Sequence, residues 1–145
     1  MWKVGILSDT HGWLDPKITE YFADCDEIWH AGDFGPDVTE QLEALKPLKG
    51  VYGNIDDQAI RFSYPEDEVF EREGLTIWIR HIGGHPPKYR PGIPALLAQY
   101  QPDIHVCGHS HILKVKKDEK RKNLLTLNPG AAGRYGFHKV RTVLR

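Results

Sequence analysis

Three times in its first 56 residues the chain runs through a short apolar segment and then breaks abruptly into glycine, acid and amide. Trp2 to Leu7 stops at Ser8-Asp9-Thr10-His11-Gly12, Glu27 to His30 gives way to Ala31-Gly32-Asp33-Phe34-Gly35, and Leu48 to Tyr52 runs into Gly53-Asn54-Ile55-Asp56. A buried strand ends in this way when it delivers side chains to a sheet edge. Helical patterns lie between the strands. Asp15-Pro16 reads as an N-cap with proline in the first turn, opening a helix to about Phe22, and Pro36 to Leu45 carries Val38, Leu42 and Leu45 at helical spacing. Two strand-helix units and a further strand predict a mainly parallel sheet with right-handed crossovers, which puts all three polar loops on one edge.

Beyond Glu68 the pattern changes to hairpins, so a second sheet is expected. Glu68 to Arg72 and Leu75 to Arg80 flank Glu73-Gly74, and the second strand ends at His81. Pro94 to Tyr100 predicts a short helix and Ile104 to Cys107 a strand whose exit loop is Gly108-His109-Ser110-His111. Ile112 to Lys117 and Leu124 to Leu127 predict another hairpin, with the charged stretch Lys114 to Lys122 as its solvated tip. The tail from Lys139 to Leu144 alternates like a half-buried strand, paired by an earlier strand or left as an open edge.

A chain of 145 residues suits one domain, 1–145, with a real core. Its 19 basic and 20 acidic residues nearly cancel, so no overall field draws it to nucleic acid or to an anionic membrane. The Lys114 to Lys122 stretch lacks interleaved aromatics and includes Asp118 and Glu119, so nucleic acid is not an expected partner. Cys25 and Cys107 form no C-x-x-C pair, which argues against a zinc knuckle or disulfide framework and for a reducing compartment. With no leader pattern and no run of transmembrane length, the expected setting is the cytoplasm.

The polar loops hold an inventory with a definite chemistry. Two neighbouring divalent cations need about four ligands each, including a carboxylate able to bridge them. In Asp9-x-His11 the alternation of an extended strand end is expected to turn both side chains to one side. Asp33, after Gly32, is the candidate bridge, and Asn54 offers a neutral oxygen to the second ion. Gly108-His109-x-His111 repeats the alternation with two imidazoles, whose intermediate softness suits manganese, iron, nickel or zinc better than magnesium or calcium. His81 completes the set. His85, in Gly83-Gly84-His85, ranks below it as a ligand and is expected on a loop near the substrate entrance. Any one of these residues alone is more often a cap or turn former. Five ordered motifs at strand exits carry the case together.

In order, those motifs are D-x-H, G-D, G-N-x-D, H and G-H-x-H, and the chain thereby resembles the calcineurin-like metallophosphoesterase superfamily. It is most similar to that superfamily's small single-domain bacterial and archaeal phosphodiesterases, the YfcE-like group, as far as Asn128-Pro129-Gly130. The resemblance implies an α/β four-layer α-β-β-α sandwich, with helices outside two mixed β-sheets. It also implies two divalent metal ions, manganese foremost, with nickel, iron or zinc as alternatives. Asp9, His11, Asp33 and His111 would bind one ion, and Asp33, Asn54, His81 and His109 the other. The implied activity is phosphodiester hydrolysis by a solvent nucleophile bridging the ions, on a small phosphate ester, with Asp33, Asn54 and His81 in the reaction. A homo-oligomer is left open.

Two departures from the superfamily pattern matter. Many members carry histidine after the Gly-Asn of the third motif, where it is assigned to leaving-group protonation, and this chain has Ile55. His85 then becomes the candidate general acid, and esters with good leaving groups are favoured. Relatives also commonly continue into another strand after the point where this chain ends. Competing readings are a non-catalytic metal-binding scaffold for protein interaction, as in one eukaryotic trafficking branch, and a nuclease or nucleotide hydrolase. Asp56 and His30 are candidates for orienting ligands, and Asn128 to Gly133 with Arg134 for approaching phosphate.

Overall fold

The computed structural model describes all residues 1–145. Strands β1 (Val4–Leu7), β2 (Glu27–His30) and β3 (Leu48–Gly50) alternate with helices α1 (Ile18–Tyr21) and α2 (Val38–Leu45). They form a parallel sheet in the order β1-β2-β3, with Gly5 opposite Ile28 and Ile28 opposite Leu48. After α3 (Gln58–Ser63) come the hairpin β4 (Asp67–Arg72) and β5 (Leu75–Arg80), a small ribbon β6 (Gly84–His85) and β7 (Lys88–Tyr89), and α4 (Ile93–Tyr100). Strands β8 (Ile104–Val106), β9 (Leu113–Asp118) and β10 (Leu124–Pro129) complete a mixed sheet ordered β4-β5-β8-β10-β9.

Strand alternation divides the core into three slabs. Leu7, Ile28 and Phe34 pack with Ile18, Phe22, Val38 and Leu42, which puts α1 and α2 outside the first sheet. Their strand neighbours Ile6 and Trp29 point the other way and meet Ile77, Ile79 and Val106 between the sheets. Trp78 faces outward from β5 and packs under α4 against Ile93 and Leu97. Because successive side chains leave a strand on opposite faces, this is the expected four-layer sandwich. No helix is long and apolar enough to cross a membrane.

The structure departs locally from the sequence reading. Helix α1 is a single turn, because Asp15-Pro16-Lys17 is itself a turn in which the Asp15 carboxylate takes the Lys17 amide. The tail meets β1 only at Leu144, which exchanges two 2.9 Å hydrogen bonds with Ile6 in antiparallel fashion. The Thr142 amide is already held by the Ala131 carbonyl, so no longer ladder forms. The antiparallel contact of the first sheet is this one bridge. The stretch from Lys114 is no solvated tip throughout: β9 is an edge strand, and Asp118 at its end is buried against Tyr89 Oη at 2.8 Å and Arg121 at 2.9 Å. Helix α3 and the β6-β7 ribbon were not anticipated.

Candidate metal centre

The loops at the strand exits of both sheets meet on one rim. Asp9, just past β1, is fully buried, and its Oδ2 accepts from Ser8 Oγ at 2.7 Å and from the His109 amide at 3.1 Å. Its Oδ1 has no hydrogen-bond donor and lies 3.2 Å from His111 Nε2 and 3.8 Å from both His11 and His81 Nε2. Asp33 Oδ1 accepts the Ile55 amide at 3.0 Å, while Oδ2 is 3.4 Å from His11 Nε2 and 3.2 Å from His81 Nε2. His81 Nδ1 is 2.7 Å from the Ala31 carbonyl and must donate to it, which turns Nε2 toward the two carboxylates. His109 Nδ1 stands 3.0 Å from Asn54 Oδ1.

Two sets of donors result: Asp9, His11 and His111 in one, and Asp33, His81 and His109 in the other, each with its ligand atoms within 4.8 Å of one another. Asn54 adjoins the second set through His109, and Asp33 also touches His11 of the first. The rim thus brings together all seven residues that the sequence offered as metal ligands. Asp9 Oδ1, His11 Nε2 and His81 Nε2 are buried without hydrogen-bond partners. Such atoms cost about 1–3 kcal/mol each when nothing satisfies them, and mixed carboxylate and imidazole lone pairs converging on one place fit divalent cations.

Electrostatics bind the set together. Burial would raise the Asp9 carboxyl, but the adjacent His11 and His111 rings and the charge of His81 outweigh it and hold the carboxyl below the usual carboxylate range. Burial would likewise lower His81, yet contact with Asp33 and the charges of Asp9 and Asp33 raise it. His111 is raised chiefly by Asp9 beside it, whereas His109 is lowered chiefly by burial.

The local geometry differs from the alternation expected of extended strand ends. Asp9, His11, Asp33, His109 and His111 have φ of 55°, 46°, 58°, 68° and 63°, in the left-handed region. The loops coil, and Thr10, between Asp9 and His11, turns inward, its Oγ1 donating to the Phe34 carbonyl at 2.7 Å, while Ser110, between His109 and His111, stays exposed. The two histidines of Gly108-His109-x-His111 diverge, one to each donor set. Two glycines allow the loops to close. A Cβ on Gly53 would lie 2.1 Å from Asp33 Oδ1, and one on Gly108 2.1 Å from Ser8 Oγ.

Buried polar residues behind the rim hold the loops. The Asp56 carboxylate accepts the amides of Gly53, Phe34 and Gly35 at 2.8, 3.2 and 3.0 Å, tying the second loop to the third. His30 Nδ1 accepts the Gly32 amide, so Nε2–H donates to Thr10 Oγ1 at 3.0 Å. Burial pushes this imidazole down to about 3, which keeps it neutral. Asn128 donates to the Gly108 carbonyl and Ser110 Oγ, both at 3.0 Å, and so braces the histidine loop. Arg61, which the sequence reading passed over, reaches back from α3 to the carbonyls of Asp56 and Asn54 at 2.8 and 3.2 Å. Arg134 lies 4.4 Å over the Trp13 ring.

His85 is the exception among the expected site residues. Its Nδ1–H donates to Thr126 Oγ1 at 2.8 Å, since that hydroxyl gives its own proton to the Lys116 carbonyl, and its Nε2 faces Cys107 Sγ at 3.8 Å. Burial, with the charges of Lys114 and Lys116, pushes the ring down to about 4. It belongs to neither donor set and is neutral near pH 7, so the expectation that it protonates a leaving group is corrected. Tyr135 and His138, which pack on His11 and His111, were also missed. Aromatic residues in a glycine-rich stretch were the only signal for them.

Residues 2–145 match the calcineurin-like phosphoesterase superfamily domain, and the chain belongs to that superfamily. It is similar to a probable metallophosphoesterase of Methanothermobacter thermautotrophicus, 28% identical in an alignment 134 positions long that covers 88% of this chain and 76% of that protein. Among solved structures, it resembles a novel archaeal phosphodiesterase at 25% identity and TM-score 0.67, over 90% of this chain and 84% of that one. Vps29 from Entamoeba histolytica shares the fold at TM-score 0.74 and 21% identity, over 96% and 79% of the respective chains.

Proposed function

We propose that the protein is a phosphodiesterase that works with two divalent cations, manganese foremost, held by Asp9, His11, Asp33 and His111 on one side and Asp33, Asn54, His81 and His109 on the other. The observation that carries this reading is the group of three buried, unpartnered donor atoms, Asp9 Oδ1, His11 Nε2 and His81 Nε2, turned toward one another around Asp33. Bound cations would supply Lewis-acid activation of water and neutralise charge on the phosphate oxygens. The chain's part is positioning. Ser8 and the His109 amide fix one Asp9 oxygen, the Ile55 amide fixes one Asp33 oxygen, and Ala31 sets the His81 tautomer. The similarity to an archaeal phosphodiesterase supports a diester substrate.

Ile55 is 46% exposed at the rim and offers no proton, and His85 is engaged elsewhere. Esters whose leaving group departs without protonation are therefore the favoured class. The test is hydrolysis of bis(p-nitrophenyl) phosphate and p-nitrophenyl phosphate by metal-stripped protein, with manganese, nickel, zinc or magnesium restored singly and metal content quantified. Manganese- or nickel-dependent cleavage, faster on the diester, is expected. Two bound equivalents without turnover of either ester would favour a scaffold, and no metal uptake would overturn the site.

A further inference from the structure

Beside the first donor set, the segment from Arg134 to His138 crosses the rim. The Tyr135 ring stacks on His11 with centroids 5.0 Å and planes 26° apart, and His138 packs edge-on against His111 at 5.2 Å. Gly136 allows this approach, since a Cβ there would lie 2.3 Å from His111 Nδ1. The segment carries two aromatic rings to the rim and leaves them in water. Tyr135 is 70% exposed, Phe137 entirely so, and Ile112 nearby 65%. None of the three belongs to a core cluster. Scattered exposed apolar residues need no explanation, but three around one hollow beside candidate metal ligands do.

The hollow has a volume of about 420 Å³, and His109, His111, Tyr135 and Phe137 are among its walls. That is within the range of clefts that take small ligands. His11 covers one face of Tyr135, which orients the ring and leaves the other face available for stacking. Two walls of the hollow, His109 and His111, are themselves candidate ligands, one from each donor set. A group esterified to a phosphate at the rim therefore enters the hollow directly.

We propose that this hollow is a subsite for a flat aromatic group, and that the substrate is a phosphodiester carrying an aryl or nucleobase-bearing arm that lies on Tyr135 and Phe137. The inference rests on the phosphodiesterase reading above. Aromatic stacking of a base is sequence-tolerant and favours any flat ring over an alkyl group, by about tenfold or more in affinity.

The test holds the leaving group constant. Three p-nitrophenyl phosphodiesters with methyl, phenyl or thymidine-5′ as the other arm are compared on the manganese-loaded protein, in the native sequence and in Phe137→Ser and Tyr135→Leu. The ratio of kcat/KM for each aromatic arm to that for the methyl arm should fall about tenfold in the variants, through KM. The phenyl and thymidine arms separate a simple aryl group from a nucleobase. Independently, diphenylphosphinate, which has no ester to cleave, should shift the Tyr135 and Phe137 ring resonances of zinc-loaded protein, and dimethylphosphinate should not. Ratios that stay the same in the variants, with no selective shift, overturn the subsite even while the methyl diester is hydrolysed. If no diester is hydrolysed, the phosphodiesterase reading falls, and the resonance shifts alone decide whether the hollow takes an aromatic group. Phe137→Ser converting a dimer to a monomer, with the ratios unchanged, would assign the surface to contact between copies and overturn the proposal.

Discussion

The two oxygens of Asp33 face different surroundings, one held by the Ile55 amide and the other turned to His11 and His81. Asp33→Asn keeps the shape but removes the charge shared between the two donor sets. It is expected to lower kcat by about 10²–10³-fold or more and to weaken metal uptake, with circular dichroism unchanged. A second residue-scale prediction concerns His105, stacked on Trp78 at 4.2 Å and pushed down to about 3 by burial. Unfolded, it titrates near 6.5, so below that pH the unfolded chain gains a proton that the fold refuses. Its contribution to stability is complete above pH 6.5 and lost toward pH 3, at about 1.4 kcal/mol per pH unit. Urea unfolding at pH 7, 6 and 5 should show a shallower decline in His105→Phe than in the native sequence. At this scale the identity of the rim residues was legible, because acid, amide and imidazole stand out at the ends of apolar runs. His85 was not, because the Thr126 and Cys107 that engage it come from distant segments.

The turn between β4 and β5 places Glu73 and Gly74 at φ of 49° and 79°, as a two-residue hairpin with the right twist requires. A Cβ on Gly74 would meet nothing within 4 Å, so Gly74→Ala isolates the backbone cost, about 1–2 kcal/mol by urea unfolding, with metal content unchanged. Gly53→Ala is the opposite case. Its Cβ collides with Asp33, and metal affinity measured by titration should fall about 10–100-fold. The hairpin and the two strand-helix units could be read because their periodicity and turn residues are local. Helix α3 escaped notice since its signal is one cap, Asp57 receiving the Ile60 amide, on a six-residue helix with no buried residue. The tail misled in the other direction: alternation at Lys139 to Leu144 predicts a strand, but a longer ladder needs the Thr142 amide, which already donates to the Ala131 carbonyl.

Asp9, His11 and Asp33 come from the first sheet, and His81, His109 and His111 from the second, so a cation at the rim ties the two sheets together. Ligand that binds only the folded chain stabilises it by about 2.7 kcal/mol at a hundred times its Kd. For a chain of this length that amounts to about 5–10 °C in Tm. Calorimetry with manganese or zinc against chelator should show this rise, and Asp33→Asn should lose most of it. The layers were legible from alternation, whereas the order β4-β5-β8-β10-β9 was not, because its parallel pairs join segments with no local cue between them. The coiled loops have one more consequence. Glycine occupies left-handed angles freely, while aspartate and histidine are strained there by about 1 kcal/mol each. Five such residues at one rim mean that the backbone stores about 5 kcal/mol of strain just where the candidate ligands stand, which the rest of the fold must offset.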